Sequence, residues 1–281
     1  MSPNRKEWTE RIKGKRPCLE HDIRLVACDI DGTLIDESGS IPLENQKAIS
    51  ELGQQGIDFT LVTGRMDRMA RLYVKQLSVS LPIIACNGAV IRDCQTNEII
   101  EQTPMDPQDA LSLMTYLQQQ NMDFLCYSAD AVYYPRGSRR IEYFKQYNRR
   151  LEQIGDQAIP LYPLREQTIA EQASHWIKIL AIFQDPSSLL AVQTFLQQTN
   201  VWGAQSGGDA LDMMKRGVSK GKALKSLAKR LGIRLEQVAA IGDHENDVTM
   251  LSEAGLGIAM AGASLPALKA ADVVTGSAGQ A

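Results

Sequence analysis

The chain has 281 residues, which is enough for one large hydrophobic core or two smaller ones. Hydrophobic residues make up 44% of it and charged residues 22%, as in ordinary globular proteins. The formal net charge of −3 gives no basic surplus for nucleic acid. No apolar run approaches the ~20 residues that a membrane span needs. We therefore expect neither a nucleic-acid partner nor a membrane.

The first residues and the cysteines indicate the compartment. Residues 1–22 are predicted to form an N-terminal extension, which is charged and lacks the apolar stretch of a signal peptide. The five cysteines are odd in number and contain no Cys-x-x-Cys pair, so they indicate reduced thiols. These features predict a cytoplasmic protein.

Strands and helices alternate in the two outer parts of the chain. In the first part, the apolar patterns predict strands at 24–29, 57–62 and 81–86 and helices at 42–55 and 66–77. In the last part, they predict helices at 219–231, 245–254 and 265–270 and strands at 238–241, 256–260 and 272–275. This alternation is typical of a parallel sheet with helical crossovers, the α/β class.

The middle of the chain has a different pattern, in which hairpins are mixed with helices. The predicted strands are 89–91, 98–102, 122–127, 131–134, 176–183, 201–205 and 210–214, and the predicted helices are 107–119, 138–154 and 186–198. We expect an α+β domain at 88–214, inserted into an α/β core domain formed by 23–87 and 215–281.

Polar side chains follow four of the predicted core strands. Asp29 and Asp31 follow the first, Thr63 the second, Asn87 the third and Asp243 the fourth. Parallel strands share one carboxyl edge, so these side chains are expected to converge there. An isolated Asp-x-Asp-Gly is also typical of a simple turn, but the four polar strand ends favour a site for a charged ligand.

Two kinds of ligand fit this edge. Asp243 and Asp247 lie four residues apart, and with Asp29 they offer the oxygen ligands that a small cation such as Mg²⁺ prefers. The alternative for Asp247 is a carboxylate that stabilises a helix N-terminus. Thr63 and Lys220 offer a hydroxyl and an ammonium that suit a phosphate. The alternative for Lys220 is a solvated lysine.

These motifs together resemble those of the haloacid dehalogenase (HAD) superfamily of phosphohydrolases. The four matching segments are Asp29-Ile30-Asp31-Gly32-Thr33, Thr63-Gly64-Arg65, Gly217-Val218-Ser219-Lys220-Gly221 and Gly242-Asp243 through Asn246-Asp247. The segment Ile84-Ala85-Cys86-Asn87-Gly88-Ala89 and the insertion resemble the Cof-like branch, whose inserted α+β domain is a type IIB cap. The resemblance implies a Rossmann-like parallel-sheet core.

The resemblance also implies residue roles. Asp29 would attack the phosphorus and form an aspartyl-phosphate, and Asp31 would act as general acid and base. The residues implied to bind phosphate are Thr63, Gly64, Asn87, Lys220 and Asn246, and Asn246 could instead steady Lys220. Mg²⁺ would be held by Asp29, the Asp31 main-chain carbonyl, Asp243 and Asp247.

The function expected from this resemblance is a Mg²⁺-dependent phosphatase, monomeric or homodimeric. Its substrate would be a small phosphate ester such as a sugar phosphate or pyridoxal phosphate. The alternatives are a phosphomutase and a non-enzymatic phosphate- or metal-binding protein. Two departures from the family pattern concern the substrate: Ala261-Gly262-Ala263 replaces Gly-Asn-Ala, and Asp212 stands where glutamate is usual.

Overall fold

The computed structural model describes residues 22–183, 185–205 and 209–276, so the predicted N-terminal extension lies outside the described residues except for Asp22. The chain divides into two compact units. One comprises the residues up to Ile100 together with those from Ser219 onward, and the other comprises Glu101–Val218. These divisions fall later in the chain than the predicted positions of 88 and 214.

The first unit begins with alternating strands and helices. They are β1 (Leu25–Cys28), α1 (Leu43–Gln54), β2 (Asp58–Leu61), α2 (Asp67–Leu77), β3 (Ile83–Ala85), β4 (Val90–Arg92) and β5 (Ile99–Gln102), which crosses the division at Ile100. β3 pairs antiparallel with β4, which keeps this hairpin in the first unit. The third predicted core strand therefore belongs to a small sheet β3-β4-β5, and it meets the end of β2 through an isolated parallel bridge between Val62 and Ile84.

The second unit is built on a six-stranded sheet with the order β10-β11-β9-β6-β7-β8. Its elements are α3 (Pro107–Gln119), β6 (Asp123–Tyr127), β7 (Val132–Tyr134), α4 (Ile141–Gln153), β8 (Leu161–Pro163), α5 (Glu166–Glu171), β9 (Lys178–Ile182), α6 (Pro186–Leu196), β10 (Val201–Gln205) and β11 (Ala210–Lys215). The pairings are antiparallel except for β7 with β8. One face of the sheet packs with α3 and α6 in a core that includes Phe124, Ile179 and Trp176.

The sequence analysis missed β8 and α5. β8 is a three-residue edge strand that ends in Pro163, and proline is disfavoured within sheets. α5 has six residues and none of them is buried, so it shows no apolar periodicity.

The chain then returns to the first unit with α7 (Lys220–Arg230), β12 (Val238–Gly242), α8 (Val248–Glu253), β13 (Leu256–Ala259), α9 (Leu265–Ala270) and β14 (Val273–Val274). Three of the helices of the first and second units have side-chain N-caps, from Asp185, Ser219 and Ser264. These oxygens accept hydrogen bonds from amides of the first turn that would otherwise lack a partner.

The main sheet of the first unit has five parallel strands in the order β14-β13-β12-β1-β2. All four residues of β1 are buried, and successive side chains belong to opposite faces. Leu25 and Ala27 pack in the cluster that includes residues of α7, whereas Cys28 packs in the cluster that includes Tyr73 of α2. The predicted fold class, a parallel-sheet α/β core with an α+β insertion, is confirmed.

The strand order reverses at β1, because β2 follows it on one side and β12 lies on the other. In open α/β sheets, ligands bind at the carboxyl end of the strands where the order reverses. No helix in the described ranges is both long and apolar enough to cross a membrane. The four cysteines in those ranges are free thiols.

Candidate active site

The carboxyl ends of β1 and β12 carry Asp29 and Asp243. The strand pairing continues for one residue past β1, because the amide of Asp29 donates to the carbonyl of Ile241 at 2.9 Å. This bond fixes the backbone of Asp29, whose side chain is buried. Ile30 is fully buried in the core beside it.

A buried lysine joins two aspartates at this edge. Lys220 Nζ lies 2.5 Å from Asp29 Oδ1 and 2.6 Å from Asp247 Oδ1, and all three side chains are buried. Lys220 is the first residue of α7, where the helix dipole disfavours a cation. The two carboxylates compensate for this position, so Lys220 is not a solvated lysine.

The ionisation of this group is set by burial and by the neighbouring charges. Burial alone would lower the pKa of Lys220, but the carboxylates of Asp247 and Asp29 outweigh it and raise that pKa above its usual value. Burial raises the pKa of Asp29 well above its usual value, and Lys220 offsets only part of this. Further positive charge near Asp29 would therefore favour its ionised form.

The turn after β12 brings Asp243 and Asp247 together. Asp247 Oδ2 accepts hydrogen bonds from the amides of Asp243 and His244, each at 2.9 Å. Gly242 is required here, because a Cβ at this position would lie 2.6 Å from the Asp247 Cγ. Thr33 Oγ1 donates to Asp243 Oδ1 at 3.1 Å. Burial, with the charge of Asp247, raises the pKa of Asp243 to about 6.

This arrangement fits a small divalent cation. Carboxylate oxygens of Asp29, Asp243 and Asp247 all lie within 4.8 Å of one another. They are hard oxygen donors of the kind that Mg²⁺ prefers. The Asp31 carboxylate is not in this group, and the expected contribution of its main-chain carbonyl stays a prediction.

The Asp31 carboxylate binds an arginine instead. Arg65 Nε donates to Asp31 Oδ2 at 2.7 Å and Arg65 Nη2 donates to Asp31 Oδ1 at 2.5 Å. The same guanidinium reaches the Tyr73 hydroxyl at 3.4 Å. The Asp31 side chain is 55% exposed, in contrast to the buried Asp29. The two aspartates of the first motif therefore have separate cationic partners.

The remaining predicted phosphate ligands adjoin one another. The amide of Asn87 donates to the Thr63 carbonyl at 3.0 Å, and Thr63 Oγ1 accepts from the amide of Arg65 at 3.1 Å. Asn246 Nδ2 donates to Asn87 Oδ1 at 2.9 Å. A Cβ on Gly64 would lie 2.9 Å from the same Asn87 oxygen, so Gly64 packs against that amide. This contact differs from the expectation that Asn246 steadies Lys220.

A comparison with known families then identifies the chain. The family described as haloacid dehalogenase-like hydrolase matches residues 26–281. The chain belongs to this family. The predicted superfamily and the expectation of an enzyme are thereby confirmed.

Curated relatives of this hydrolase are named phosphatases. Phosphatase YwpJ of Bacillus subtilis is 27% identical over 278 residues, which cover 90% of this chain and 94% of that protein. Pyridoxal phosphate phosphatase YbhA of Escherichia coli is 27% identical over 257 residues, which cover 90% of this chain and 93% of that protein.

Solved structures show the same fold. A haloacid dehalogenase-like hydrolase from B. subtilis superposes with a TM-score of 0.78 at 26% identity, covering 92% of this chain and 96% of that one. The HAD subclass IIB sugar phosphatase BT4131 superposes with a TM-score of 0.73 at 20% identity, covering 90% and 93%. The second likeness supports the fold of the hydrolase alone.

The sequence analysis assigned no role to two residues that hold the site. Arg65 binds Asp31, and Thr33 binds Asp243. Both residues lie inside the quoted motifs, and this position is the sequence signal that could have pointed to a role in the site. In the second unit, Asp212 forms a buried ion pair with Lys178 at 3.0 Å, and its contact with a substrate hydroxyl stays a prediction.

Proposed function

We propose that this hydrolase is a Mg²⁺-dependent phosphatase that acts on a small phosphate monoester through an aspartyl-phosphate. The observation that carries the proposal is the buried Lys220, which binds both Asp29 and Asp247 at the carboxyl end of β1. A lysine in this position offsets the repulsion between a nucleophilic carboxylate and a phosphate. A simple aspartate turn would need no such buried cation.

Asp29 is the nucleophile of the proposed reaction. Its backbone is fixed by the bond to Ile241, and Lys220 holds one carboxylate oxygen. A carboxylate oxygen attacks the phosphorus and forms a new P–O bond while the bond to the leaving oxygen breaks. Water then attacks the phosphorus of the aspartyl-phosphate, which releases inorganic phosphate and restores the Asp29 carboxylate.

Asp31 moves the protons in both steps. It gives a proton to the leaving alkoxide in the first step and takes one from the attacking water in the second. In the described arrangement both Asp31 oxygens accept hydrogen bonds from Arg65, so neither oxygen donates a proton there. Proton donation therefore requires Asp31 to leave Arg65 and acquire a proton. Its half-exposed position makes this movement accessible.

The other residues bind the phosphoryl group and the cation. Thr63, Gly64, Asn87, Lys220 and Asn246 are the proposed ligands of the phosphoryl oxygens. Asp29, Asp243, Asp247 and the Asp31 main-chain carbonyl would hold Mg²⁺. When bound, Mg²⁺ would offset the charge that develops on the phosphoryl oxygens.

The proposed substrate is a small phosphorylated metabolite, either a sugar phosphate or a phosphorylated cofactor such as pyridoxal phosphate. The name of YbhA supports the phosphorylated cofactor as a substrate. Residues 88–214 are proposed to be the type IIB cap that selects the substrate. The protein is proposed to be cytoplasmic and either a monomer or a homodimer.

The test is phosphate release from sugar phosphates, nucleotides and pyridoxal phosphate, with Mg²⁺ and with EDTA. We expect release that requires both Mg²⁺ and Asp29, so that the Asp29→Asn variant is inactive while its circular dichroism matches wild type. An isomeric sugar phosphate without free phosphate would show a mutase and overturn the proposal. Full activity of Asp29→Asn would remove the nucleophile assignment.

A further inference from the structure

The start of α7 is held by a hydroxyl group from a neighbouring helix. The amide of Gly221, the second residue of α7, donates to Thr249 Oγ1 of α8 at 3.0 Å. Ser219, the N-cap, serves the next amide, because its side chain accepts from the amide of Lys222. The first amides of a helix have no partner within the helix, so each needs an acceptor from elsewhere. Thr249 therefore supplies an acceptor that the N-cap does not.

The two helices also approach each other closely at this point. A Cβ at Gly221 would lie 2.6 Å from both the backbone carbonyl carbon and the backbone oxygen of Thr249. These distances leave no room for a side chain at Gly221. Backbone packing therefore sets the distance between the two helices, and the hydrogen bond to the hydroxyl sets the direction of the Gly221 amide.

Lys220, the residue before Gly221, is held through its side chain by the same short segment. Asp247 Oδ1 lies 2.6 Å from Lys220 Nζ, and Thr249 follows Asp247 by two residues. Residues 247–249 therefore contact both the ammonium of Lys220 and the peptide group that follows it. That peptide group is planar and rigid, so holding its N–H also restrains the backbone from which the Lys220 side chain extends.

We propose that Thr249 is a positioning residue of the phosphatase reaction, which acts through Lys220. This inference rests on the proposed function, in which Lys220 binds both the Asp29 nucleophile and a phosphoryl oxygen. Lys220 Nζ lies 2.5 Å from Asp29 Oδ1, so a shift of the first turn of α7 would lengthen or break this contact. A misplacement of about 1 Å is enough to slow turnover about a hundredfold. Thr249 is then required for full kcat although it lies outside the four matched motifs.

The test measures phosphate release from pyridoxal phosphate and p-nitrophenyl phosphate in Mg²⁺ by wild type, Thr249→Val and Thr249→Ser. Valine keeps the branched shape of threonine and removes the hydroxyl, so the Gly221 amide loses its acceptor. We expect kcat of Thr249→Val to fall about tenfold with little change in KM, because a misplaced Lys220 weakens transition-state stabilisation. Thr249→Ser keeps the hydroxyl and is expected to retain most of the wild-type kcat.

The matched control is Ser252→Ala in the same helix. Ser252 Oγ donates to the Thr249 carbonyl at 3.3 Å, so this variant removes a hydroxyl from α8 and leaves the acceptor of the Gly221 amide in place. We expect it to keep the wild-type kcat and KM. A general loosening of α8 would lower kcat in both Ser252→Ala and Thr249→Val.

A second measurement needs no turnover and uses urea unfolding in EDTA. It compares the shift of the urea midpoint caused by Thr249→Val in wild type with the shift in the Lys220→Met background. We expect the shift to be smaller in that background, because the ammonium that the hydrogen bond helps to place is already absent. Residues that act on one network give such non-additive effects.

The outcomes separate this inference from the proposed function. A wild-type kcat in Thr249→Val, an equal loss of kcat in Thr249→Ser, or equal midpoint shifts in the two backgrounds would overturn the positioning role while the phosphatase function stands. If neither substrate gives Asp29-dependent phosphate release, the proposed function itself fails and the inference fails with it.

Discussion

Replacing Lys220 by methionine tests the electrostatics of the candidate site most directly. Lys220 Nζ lies 2.5 Å from Asp29 Oδ1 and 2.6 Å from Asp247 Oδ1, and all three side chains are buried. Methionine has nearly the same length and fills the space, so the loss is one of charge. Removing one partner of a buried ion pair costs about 3–5 kcal/mol. We expect Lys220→Met to lose this much stability at about pH 7.5.

The loss is expected to depend on pH with a definite sign. Burial raises the pKa of Asp29 above its unfolded value, and losing Lys220 removes the main opposing influence. The pKa of Asp29 is then higher in the folded variant than in folded wild type, so the stability of the variant falls more as pH rises. The difference from wild type is therefore larger at about pH 7.5 than at about pH 5.5.

The assay is urea unfolding of both proteins at the two pH values, in EDTA so that metal binding does not contribute. The matched control is Lys225→Met, which removes an exposed lysine of the same helix and is expected to change stability by no more than about 0.5 kcal/mol. A loss below about 1 kcal/mol for Lys220→Met, or a loss equal at both pH values, would refute the reasoning.

The remaining predictions concern the metal, the base and a tight turn. The pKa of Asp243 is raised to about 6, and its carboxylate must be ionised to hold a cation. The increase in Tm caused by Mg²⁺ should therefore be larger at about pH 7.5 than at about pH 5.5. The Asp243→Asn variant should show little of this increase. Arg65→Lys cannot bind both oxygens of Asp31, so kcat should fall about tenfold with little change in KM, and an unchanged kcat would contradict the positioning role. Gly88→Ala should lower the free energy of unfolding in urea by about 1–3 kcal/mol, because Gly88 has φ +97° and a Cβ there would lie 2.2 Å from the Ser219 carbonyl oxygen. A free energy of unfolding equal to that of wild type would contradict this prediction and show that the turn can rearrange.

The meeting of the aspartates at one edge of the main sheet could be predicted from the sequence, because it follows from the direction of the strands. Parallel strands end at the same edge, so Asp29 and Asp243 had to approach each other once β1 and β12 were neighbours. The helix that starts at Lys220 follows from Ser219 as its N-cap and from the apolar spacing behind it. These features depend on local patterns and on the direction of the strands, which a single sequence contains.

The contacts between side chains could not be predicted in the same way. The bond between Arg65 and Asp31 joins residues 34 positions apart, and it depends on where a long side chain points. The bond between Asn87 and Asn246 depends on a left-handed backbone at Asn87, with φ 56°. Asparagine tolerates this conformation, but its presence in a sequence does not require it.

The charges of the site explain why its residues occur as a set. Four carboxylates, those of Asp29, Asp31, Asp243 and Asp247, face two cations, Lys220 and Arg65. Two negative charges remain, which is the amount that one divalent cation balances. Burial, together with the negative charge of Asp247, raises the pKa values of Asp29 and Asp243, and a cation bound between these carboxylates would lower them. In the proposed reaction, binding of a divalent cation would therefore be coupled to loss of these protons, and it would favour the ionised form of the Asp29 nucleophile.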